Sequence, residues 1–462
     1  MYSNDAMFSR EKWERVFSGF GVPRRMEAGP SVCPAALTSF ENYPSTDSCF
    51  RNQMNLIVNQ PQQRSVLSMK RIQLLVGLSL ATIVPLLNGV ASAPEFFTST
   101  TTTNSIIGIF FCVIVGYWMS VRLHAFPGVS SGAYTVLCFS AAYGALACIF
   151  FLFRMNYSII VLLTSYATAT LWFLYVKLRV DGVARLRMAL VDTGDTKRLL
   201  RIPNIEWIAI SNPKEFAADM GCVVADLRTN FDDEWLKFLS ETALQGTPVY
   251  HVKHIEEELS GQMEMEHLSE NNFGSLLPNM VYLQIKLVLD VLLALVLIIP
   301  VFVVLLILAP VCLFVQGRPF FFVQERMGYR GRPFNVYKIR TMIAGSQQLT
   351  RLGGLLRRTR IDELPQIINI LKGEMSWIGP RPETMRLSNW YESELAFYRY
   401  RHIVRPGLSG WAQVRQGHVV ELDDATTKLK LDFFYIKNIS PWLDFLIAFR
   451  TLKILATGFG SR

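Results

Sequence analysis

Four long apolar segments constrain the fold of this chain more than any other feature of its sequence. They cover residues 72–91, 102–121, 134–153 and 157–176. Each is about the 20 residues that an α-helix needs to cross the hydrocarbon layer of a bilayer. Four such helices in succession are rare in a soluble core, so the sequence predicts a four-helix transmembrane region over residues 69–178.

Basic residues at the two ends of this region predict its orientation. Lys70 and Arg71 precede the first segment, and Lys177 and Arg179 follow the fourth. The loop 92–101 contains neither Lys nor Arg. Since basic residues are enriched on the cytoplasmic side of membrane proteins, both ends of the region are predicted to lie in the cytosol.

The segment before the first apolar block has no sustained hydrophobic period. Residues 1–68 mix Pro, Ser and Asn, and their apolar residues do not form the layout of a signal peptide. We predict a mostly disordered cytosolic tail there. The biological start of the chain could be Met1, Met54 or Met69.

Short apolar runs alternate with polar and amphipathic stretches in residues 185–270. This alternation predicts a small, Rossmann-like, parallel α/β domain. The sequence after its first predicted strand is Asp192-Thr193-Gly194-Asp195 rather than G-x-G-x-x-G. The dinucleotide fingerprint is therefore missing, and a structural or regulatory role is favoured over nucleotide binding.

A fifth apolar block, residues 291–315, carries no charge but contains Pro300 and Pro310. An interior proline removes a helical hydrogen bond and kinks or ends a helix. Two alternatives follow. Either a kinked helix spans the membrane, or the helix breaks at Pro300 and the segment 286–316 returns to the side from which it entered.

The positive charge of the chain is confined to its last part. The whole sequence has a net charge of +9, and residues 277–462 contain 24 Lys and Arg against 13 Asp and Glu. Basic clusters of this kind bind phosphates, anionic lipids or nucleic acids. The charge alone does not distinguish between these partners, whereas the sequence motifs of this segment do.

Asp362 and Glu363 are the candidate reactive groups of this segment. Apolar residues follow them at helical spacing, so a helix is predicted over about 363–372, with Pro365 in its first turn. Asp362 could simply cap that helix. The arginines nearby, Arg357, Arg358, Arg360, Arg381 and Arg405, favour another interpretation. Arginine forks hold phosphate oxygens, and two carboxylates among them suit a Mg²⁺–diphosphate substrate that one carboxylate attacks at phosphorus.

Residues 280–460 resemble the monotopic phosphoglycosyl transferases, and the whole chain resembles their large-form members. Five motifs carry the resemblance: F-V-Q-E-R-M-G (322–328), Y-K-I-R-T-M (337–342), R-R-T-R-I-D-E-L-P-Q (357–366), G-P-R-P-E (379–383) and R-P-G-L-S-G-W-A-Q (405–413). The resemblance implies a membrane protein of the α plus α/β class. Four transmembrane helices and a small parallel α/β domain precede a monotopic catalytic domain, residues 277–462, with a re-entrant helix and amphipathic interfacial helices.

The same resemblance implies roles for individual residues. Asp362 would be the nucleophile, and Glu363 its partner, with both near Mg²⁺. Phosphate or nucleotide contacts would come from Arg381, Arg405, Arg360, Arg357, Lys338, Arg340, Arg326 and Gln324. Glu383 could also lie near the metal. Pro300 would mark the break of the re-entrant helix.

The implied reaction passes a sugar 1-phosphate from a UDP-sugar, with glucose or galactose as the guess, to undecaprenyl phosphate and releases UMP. It would start exopolysaccharide, capsule or O-antigen synthesis at the cytosolic face of a bacterial inner membrane. Membrane lipids and a possible homodimer are the other partners. No nucleic acid is predicted as a partner, because the basic segment lacks an aromatic-interleaved binding motif.

Two other functions stay open from the sequence. A glycosyltransferase that releases UDP would usually carry D-x-D, and Asp423-Asp424 lacks that spacing. A non-enzymatic scaffold for polysaccharide assembly would not explain the arginines around Asp362.

Three further features of the basic segment are interpreted as structural or left open. His402 and His418 are assigned no catalytic role, since each is a lone His outside a metal-ligand spacing. Trp411 is predicted to pack. The segment 441–458 is either an amphipathic helix at the membrane surface or a helix of the core.

Overall fold

A computed structural model describes residues 69–90, 100–123, 126, 132–181, 186–202, 205–217, 220–264, 277–346, 348–416 and 422–457. The tail 1–68 and His418 lie outside the described residues. So does the segment 265–276 between the α/β domain and the catalytic domain.

Four apolar helices form the first part of the described chain: α1 (Lys70–Val90), α2 (Thr100–Leu123), α3 (Ala133–Leu152) and α4 (Ile159–Asp181). Each is long and apolar enough to cross a membrane. Aromatic side chains pack between these helices. For example, the rings of Phe139 in α3 and Phe173 in α4 stack with their centres 5.0 Å apart. The hydroxyl groups of Tyr143 and Ser165 are 2.8 Å apart in the buried interior of the bundle. The predicted four-helix region is confirmed.

A small α/β domain follows the bundle. Its strands are β1 (Leu186–Val191), β2 (Ile205–Ile210), β3 (Val223–Ala225) and β4 (Val249–His251), and its helices are α5 (Asp233–Leu244) and α6 (Val252–Ser260). The strands form a parallel sheet in the order β2-β1-β3-β4. The predicted parallel α/β architecture is therefore confirmed.

The fifth apolar block is a single 37-residue helix, α7 (Met280–Gln316), which contains both prolines. The chain does not leave the helical conformation at Pro300, because losing one backbone donor bends a helix more readily than it ends one. The half before Pro300 packs through Ala294 against Phe334 and Ile370. The half after it packs through Cys312 against Ile339 and Leu356. Both halves therefore contact the same basic domain.

The basic domain is built from short elements around two long helices. In chain order these are β5 (Phe321–Met327), β6 (Pro333–Ile339), α8 (Arg351–Arg358), α9 (Ile367–Leu371), β7 (Ser376–Ile378), α10 (Met385–Glu394), β8 (Gly407–Ser409), α11 (Trp411–Arg415), α12 (Leu422–Lys437) and α13 (Pro441–Thr457). β5 and β6 pair antiparallel, and β7 and β8 pair parallel.

The sequence left open whether the segment 441–458 is a core helix or an amphipathic surface helix. Helix α13 has features of both. Leu443, Leu446 and Ile447 are fully buried in the core of the domain. Leu452, one turn and a half further on, is 63% exposed. The first half of the helix therefore belongs to the core, whereas the second half leaves apolar side chains uncovered.

Two glycines of the sequence motifs permit an unusually close backbone approach. Gly379 donates its N–H to the carbonyl of Ser409 at 2.8 Å, and Gly407 donates to the carbonyl of Pro380 at 2.9 Å. A Cβ at Gly407 would lie 2.0 Å from the backbone nitrogen of Gly379. Only residues without a side chain fit there, and this contact joins the G-P-R-P-E and R-P-G motifs.

Gly407→Ala is therefore expected to destabilise the protein by about 3 kcal/mol, because rigid backbone has to move to admit a methyl group. Thermal unfolding in detergent, followed by Trp fluorescence, measures the effect. Gly144→Ala is the matched control, since no described atom lies within 4 Å of a Cβ at that helical position. Equal midpoints for the two variants would contradict the close approach.

Candidate active site

A cavity of about 640 Å³ opens between the β5–β6 hairpin, helix α8 and the loop after β7. It brings together nine of the ten residues that the sequence singled out for chemistry or substrate binding. These are Gln324, Arg326, Lys338, Arg340, Arg357, Arg360, Asp362, Glu363 and Arg381. They come from parts of the chain up to 57 residues apart, so the fold and not local sequence assembles the cavity.

A tight turn places the two carboxylates in this cavity. Arg360 adopts a left-handed conformation with φ of +58°, and a 3-10 helix, Ile361–Gln366, follows before α9 begins. The predicted α-helix over about 363–372 is thus a 3-10 turn followed by a short α-helix. The Asp362 side chain does not cap it. The residue before the turn is Arg360, whose side chain makes no capping hydrogen bond.

Glu363 is buried and surrounded by cations. Its Oε1 atom lies 2.7 Å from Lys338 Nζ and 2.8 Å from Arg381 Nη2, with Arg360 Nη1 at 3.6 Å. Burial alone would raise the pKa of this carboxyl, but Arg381 and Lys338 outweigh it and hold the pKa well below its usual range. Glu363 is therefore a permanently ionised anchor for the cations.

Asp362 differs from Glu363 in both its hydrogen bonding and the direction of its pKa shift. Its side chain is buried, and its Oδ1 atom has no hydrogen-bond partner among the described residues. Burial, and then the charge of Glu363, raise the pKa of Asp362 above its ordinary value, against the attraction of Lys338 and Arg360. Adjacent carboxylates with divergent environments are typical of sites that divide two roles between them.

Other cations of the cavity are held by their own partners. Arg326 donates from Nη1 to the Pro382 carbonyl at 2.5 Å and from Nη2 to Gln324 at 2.9 Å. Arg340 donates from Nε to the carbonyl of Pro319 at 3.0 Å. Such bonds fix the direction of a guanidinium group and leave its remaining donors for phosphate oxygens.

Two residues near Arg357 line the cavity although we did not predict them individually as ligands: Thr341, in the segment after β6, and Arg358 of helix α8. Arg357 donates from Nε to the hydroxyl of Thr341 at 2.9 Å. Arg358 stood in the R-R-T-R run, so the signal for it was already in the sequence.

Arg405 lies elsewhere. It donates from Nε to the carbonyl of Gly373 at 2.9 Å, and its guanidinium carbon is 4.8 Å from the centre of the Tyr329 ring. It lines a second, much smaller cavity beside α7, together with Lys286 and Asp290. Arg405 is therefore not among the residues that surround Asp362, although its motif packs against the G-P-R-P-E loop through Gly407.

A buried ion pair supports the loop that carries Arg381. Arg401 Nη2 lies 2.8 Å from Asp432 Oδ2, and the same nitrogen donates to the carbonyl of Arg381 at 2.9 Å. Both charged side chains are 2% exposed. Sequence reasoning missed this pair, and the only local signal was the presence of charges within the aromatic runs Y-R-Y-R-H-I and L-D-F-F-Y-I.

Glu383 pairs with Lys428 of α12. Burial opposes ionisation, but Lys428 and then Arg401 lower the pKa of Glu383 to about 2. Glu383 is not among the residues that line the cavity around Asp362. Its position therefore gives the predicted proximity to a metal no support.

His402 and Trp411 fit their structural interpretations. Burial, with Arg401 beside it, lowers the pKa of His402 to about 3, so the imidazole is neutral. Trp411 is fully buried, and its indole N–H donates to the carbonyl of Gly261 at 2.9 Å. The prediction that Trp411 packs is confirmed.

The donor set is compatible with Mg²⁺ shared between protein and substrate. The described residues contain no group of three or more His, Cys, Asp or Glu side chains that could hold a metal alone. Asp362 offers a buried carboxylate oxygen without a partner, and Mg²⁺ commonly takes one or two carboxylates with substrate phosphates and waters. Glu363 fits this role less well, because its Oε1 atom is already engaged by Lys338 and Arg381.

Comparison with known proteins identifies the class of this site. Residues 281–458 match the family described as bacterial sugar transferase. A UDP-N-acetylgalactosamine-undecaprenyl-phosphate N-acetylgalactosaminephosphotransferase of Aeromonas hydrophila is 39% identical over 374 residues, covering 78% of this chain and 88% of that protein. UDP-glucose:undecaprenyl-phosphate glucose-1-phosphate transferases of Xanthomonas campestris pv. campestris and Escherichia coli (strain K12) are 38% and 36% identical over 30% and 29% of this chain, and over 32% of each relative.

The chain belongs to the bacterial sugar transferases, and within them to the undecaprenyl-phosphate sugar phosphotransferases. It is a multi-pass membrane enzyme that transfers a sugar 1-phosphate to a polyprenyl phosphate. The resemblance to large-form phosphoglycosyl transferases is confirmed.

Arg401→Met is expected to lower the free energy of unfolding by about 3–5 kcal/mol, because it leaves the Asp432 carboxylate buried without a partner. Adding Asp432→Leu should recover much of the loss, since both buried charges are then gone. Chemical denaturation in detergent measures the free energy of unfolding of the single and the double variant. The control is Lys237→Met in the exposed Lys237–Glu241 pair, where a change of about 0.5 kcal/mol or less is expected. A similar small change for Arg401→Met would contradict the role of the buried pair.

Proposed function

We propose that the chain transfers N-acetylgalactosamine 1-phosphate from UDP-N-acetylgalactosamine to undecaprenyl phosphate and releases UMP. The observation that carries the reaction is Asp362, a buried carboxylate with an unpartnered oxygen in a cavity lined by cations. The choice of sugar follows the Aeromonas hydrophila relative, which aligns along 88% of its own length. The glucose-specific relatives align along about a third of theirs, and the guess of glucose or galactose stays an alternative.

The reaction proceeds in two displacements at one phosphorus atom. The Asp362 carboxylate attacks the phosphorus next to the sugar, an Asp–O–P bond forms, and the bond to the UMP oxygen breaks. An oxygen of undecaprenyl phosphate then attacks the same phosphorus, and the Asp–O–P bond breaks to regenerate the carboxylate. Covalent catalysis of this kind splits one difficult transfer into two easier ones.

The cations around Asp362 make an anionic attack on an anion possible. Lys338 and Arg381 are held in place by Glu363, and the other cations of the lining are Arg326, Arg340, Arg357, Arg358 and Arg360. Preorganised positive groups stabilise the charge that builds on the transferring phosphoryl oxygens. Mg²⁺, held by Asp362 with phosphate oxygens of the donor, would supply further neutralisation of the diphosphate.

The experiment is an assay of purified protein with Mg²⁺, undecaprenyl phosphate and UDP-N-acetylgalactosamine, UDP-glucose or UDP-galactose. UMP release that is greatest with the first donor is the expected result, and EDTA should abolish it. Release of UDP would instead support sugar transfer without phosphate. Asp362→Asn should lower the rate at least about 10³-fold, because an amide cannot replace the nucleophile. An unchanged rate would contradict the assignment of Asp362.

We further propose that the catalytic domain lies on the cytosolic face of a bacterial inner membrane. One end of the helix bundle is marked by hydrogen bonds from Tyr117 to the Lys70 carbonyl and from Trp172 to the Gln73 carbonyl. The basic residues that flank the bundle lie at this end. The possible homodimer stays a prediction.

The catalytic domain docks at that same end of the bundle. Trp118 of α2 contacts Trp442 of α13 with ring centres 4.6 Å apart, and Arg450 donates to the hydroxyl of Tyr134 at 3.3 Å. Helix α4 also leads into the α/β domain at this end. Because α7 lies between two domains on one side of the membrane, these contacts support a re-entrant path for α7.

Cysteine labelling tests this topology in a variant without the seven native cysteines. The test positions are Leu244→Cys before α7, Trp390→Cys after α7 and Phe153→Cys at the α3–α4 turn, which are 87%, 43% and 74% exposed. An impermeant maleimide should label Phe153→Cys in spheroplasts, but Leu244→Cys and Trp390→Cys only after permeabilisation. Labelling of Trp390→Cys from outside would show that α7 crosses the membrane.

A further inference from the structure

The end of the α/β domain is embedded in the catalytic domain. We call residues 257–264, the last turn of α6 and the four residues after it, the clamp segment. Gly261 ends α6 in a left-handed conformation with φ of +68°, so the chain turns sharply towards the catalytic domain. Met263 is 4% exposed and belongs to the same hydrophobic core as Trp411 and Leu443.

Backbone groups of the clamp segment have partners in the catalytic domain. The carbonyl of Gly261 accepts the indole N–H of Trp411, and the carbonyl of Ser260 accepts from Arg415. Met263 donates its N–H to the carbonyl of Lys430 at 3.0 Å. Removing the segment would leave buried polar groups unpaired, which is costly.

Two ion pairs fasten the clamp segment to one face of α12. Lys430 Nζ lies 2.7 Å from Glu264 Oε1, and Lys437 Nζ lies 2.9 Å from Glu257 Oε2. The two lysines are seven residues apart, so they share a helix face. All four side chains are less than a quarter exposed, and such pairs are screened less than surface pairs.

The other face of α12 supports the active site. Lys428 and Asp432 are four residues apart and lie roughly opposite Lys430 on the helix. Lys428 holds Glu383, and Asp432 holds Arg401, which in turn donates to the carbonyl of Arg381. Arg381 then contacts Glu363 at 2.8 Å. Polar contacts on the two faces of α12, with the helix itself between them, therefore join the clamp segment to the cations beside Asp362.

We propose that the clamp segment positions the catalytic site: Glu257 and Glu264 set the placement of α12, and α12 sets the placement of the loop that carries Arg381. Glu257, Glu264, Lys430 and Lys437 are positioning residues, since none of them lines the cavity. The α/β domain then contributes to the transfer reaction without binding the substrate. This inference rests on the proposed role of the Asp362 cavity.

The test measures kcat and KM for the UDP-sugar, normalised to folded protein, in Glu264→Gln and in the swapped pair Glu264→Lys/Lys430→Glu. Because small displacements of positioning groups strongly affect the rate, kcat should fall about tenfold in Glu264→Gln while KM changes less than about twofold. The swapped pair should recover most of kcat. Glu241→Gln, in an exposed ion pair of the same domain, is the control and should match the wild type.

The outcomes separate this inference from the proposed function. If the wild type releases no UMP, the proposed function fails and so does the inference built on it. If the wild type is active and kcat is unchanged in Glu264→Gln, only the positioning role of the clamp segment is overturned, and the proposed function stands. A loss of kcat that the swapped pair does not recover also overturns it. Glu257→Gln, which breaks the second ion pair, replaces Glu264→Gln if that variant does not fold.

Discussion

The buried carboxylate of Glu363 is the interaction on which the active site depends. An unpaired carboxylate in such a place would lose several kcal/mol of hydration, so the site is stable only with cations in contact. Lys338 from β6 and Arg381 from the loop after β7 supply them at 2.7 and 2.8 Å. The same contacts that stabilise Glu363 bring β6 and the loop after β7 to the edge of one cavity, next to Asp362. Stability and preorganisation of the site therefore have one physical origin.

The requirement to hold Arg381 extends through the catalytic domain. A guanidinium group is useful for phosphate binding only if its direction is fixed. The backbone carbonyl of Arg381 is held by a hydrogen bond from Arg401, and Asp432 neutralises the charge of Arg401 in the interior of the domain. On the other side of the loop, Gly379 and Gly407 bring two backbones closer than any side chain would allow. The loop 379–383, which carries Arg381, is therefore fixed both by hydrogen bonds and by close backbone packing.

Sequence patterns predicted the parts of the structure that depend on length, period and motif. The transmembrane helices follow from apolar length alone, and the parallel sheet follows from alternating runs. The motif residues around Asp362 were also found, except that Arg405 lies in a separate cavity beside α7. Arg405 lies two residues before β8, where it donates to the carbonyl of Gly373, and no local pattern encodes a contact across 32 residues. The pair Arg401–Asp432 was missed for the same reason, because its partners are 31 residues apart.

The prolines of α7 show a different limit of sequence reasoning. Pro300 predicts a disturbance of the helix, yet the element continues to Gln316. At 1.5 Å per residue, 37 helical residues would measure about 55 Å, far more than the hydrocarbon layer of about 30 Å. A straight helix perpendicular to the membrane would carry its second half beyond the bilayer. Instead Cys312 and Gln316 are buried against the domain that also buries Lys286 and Asp290. Packing of both halves, rather than the proline itself, is what holds this helix against the catalytic domain.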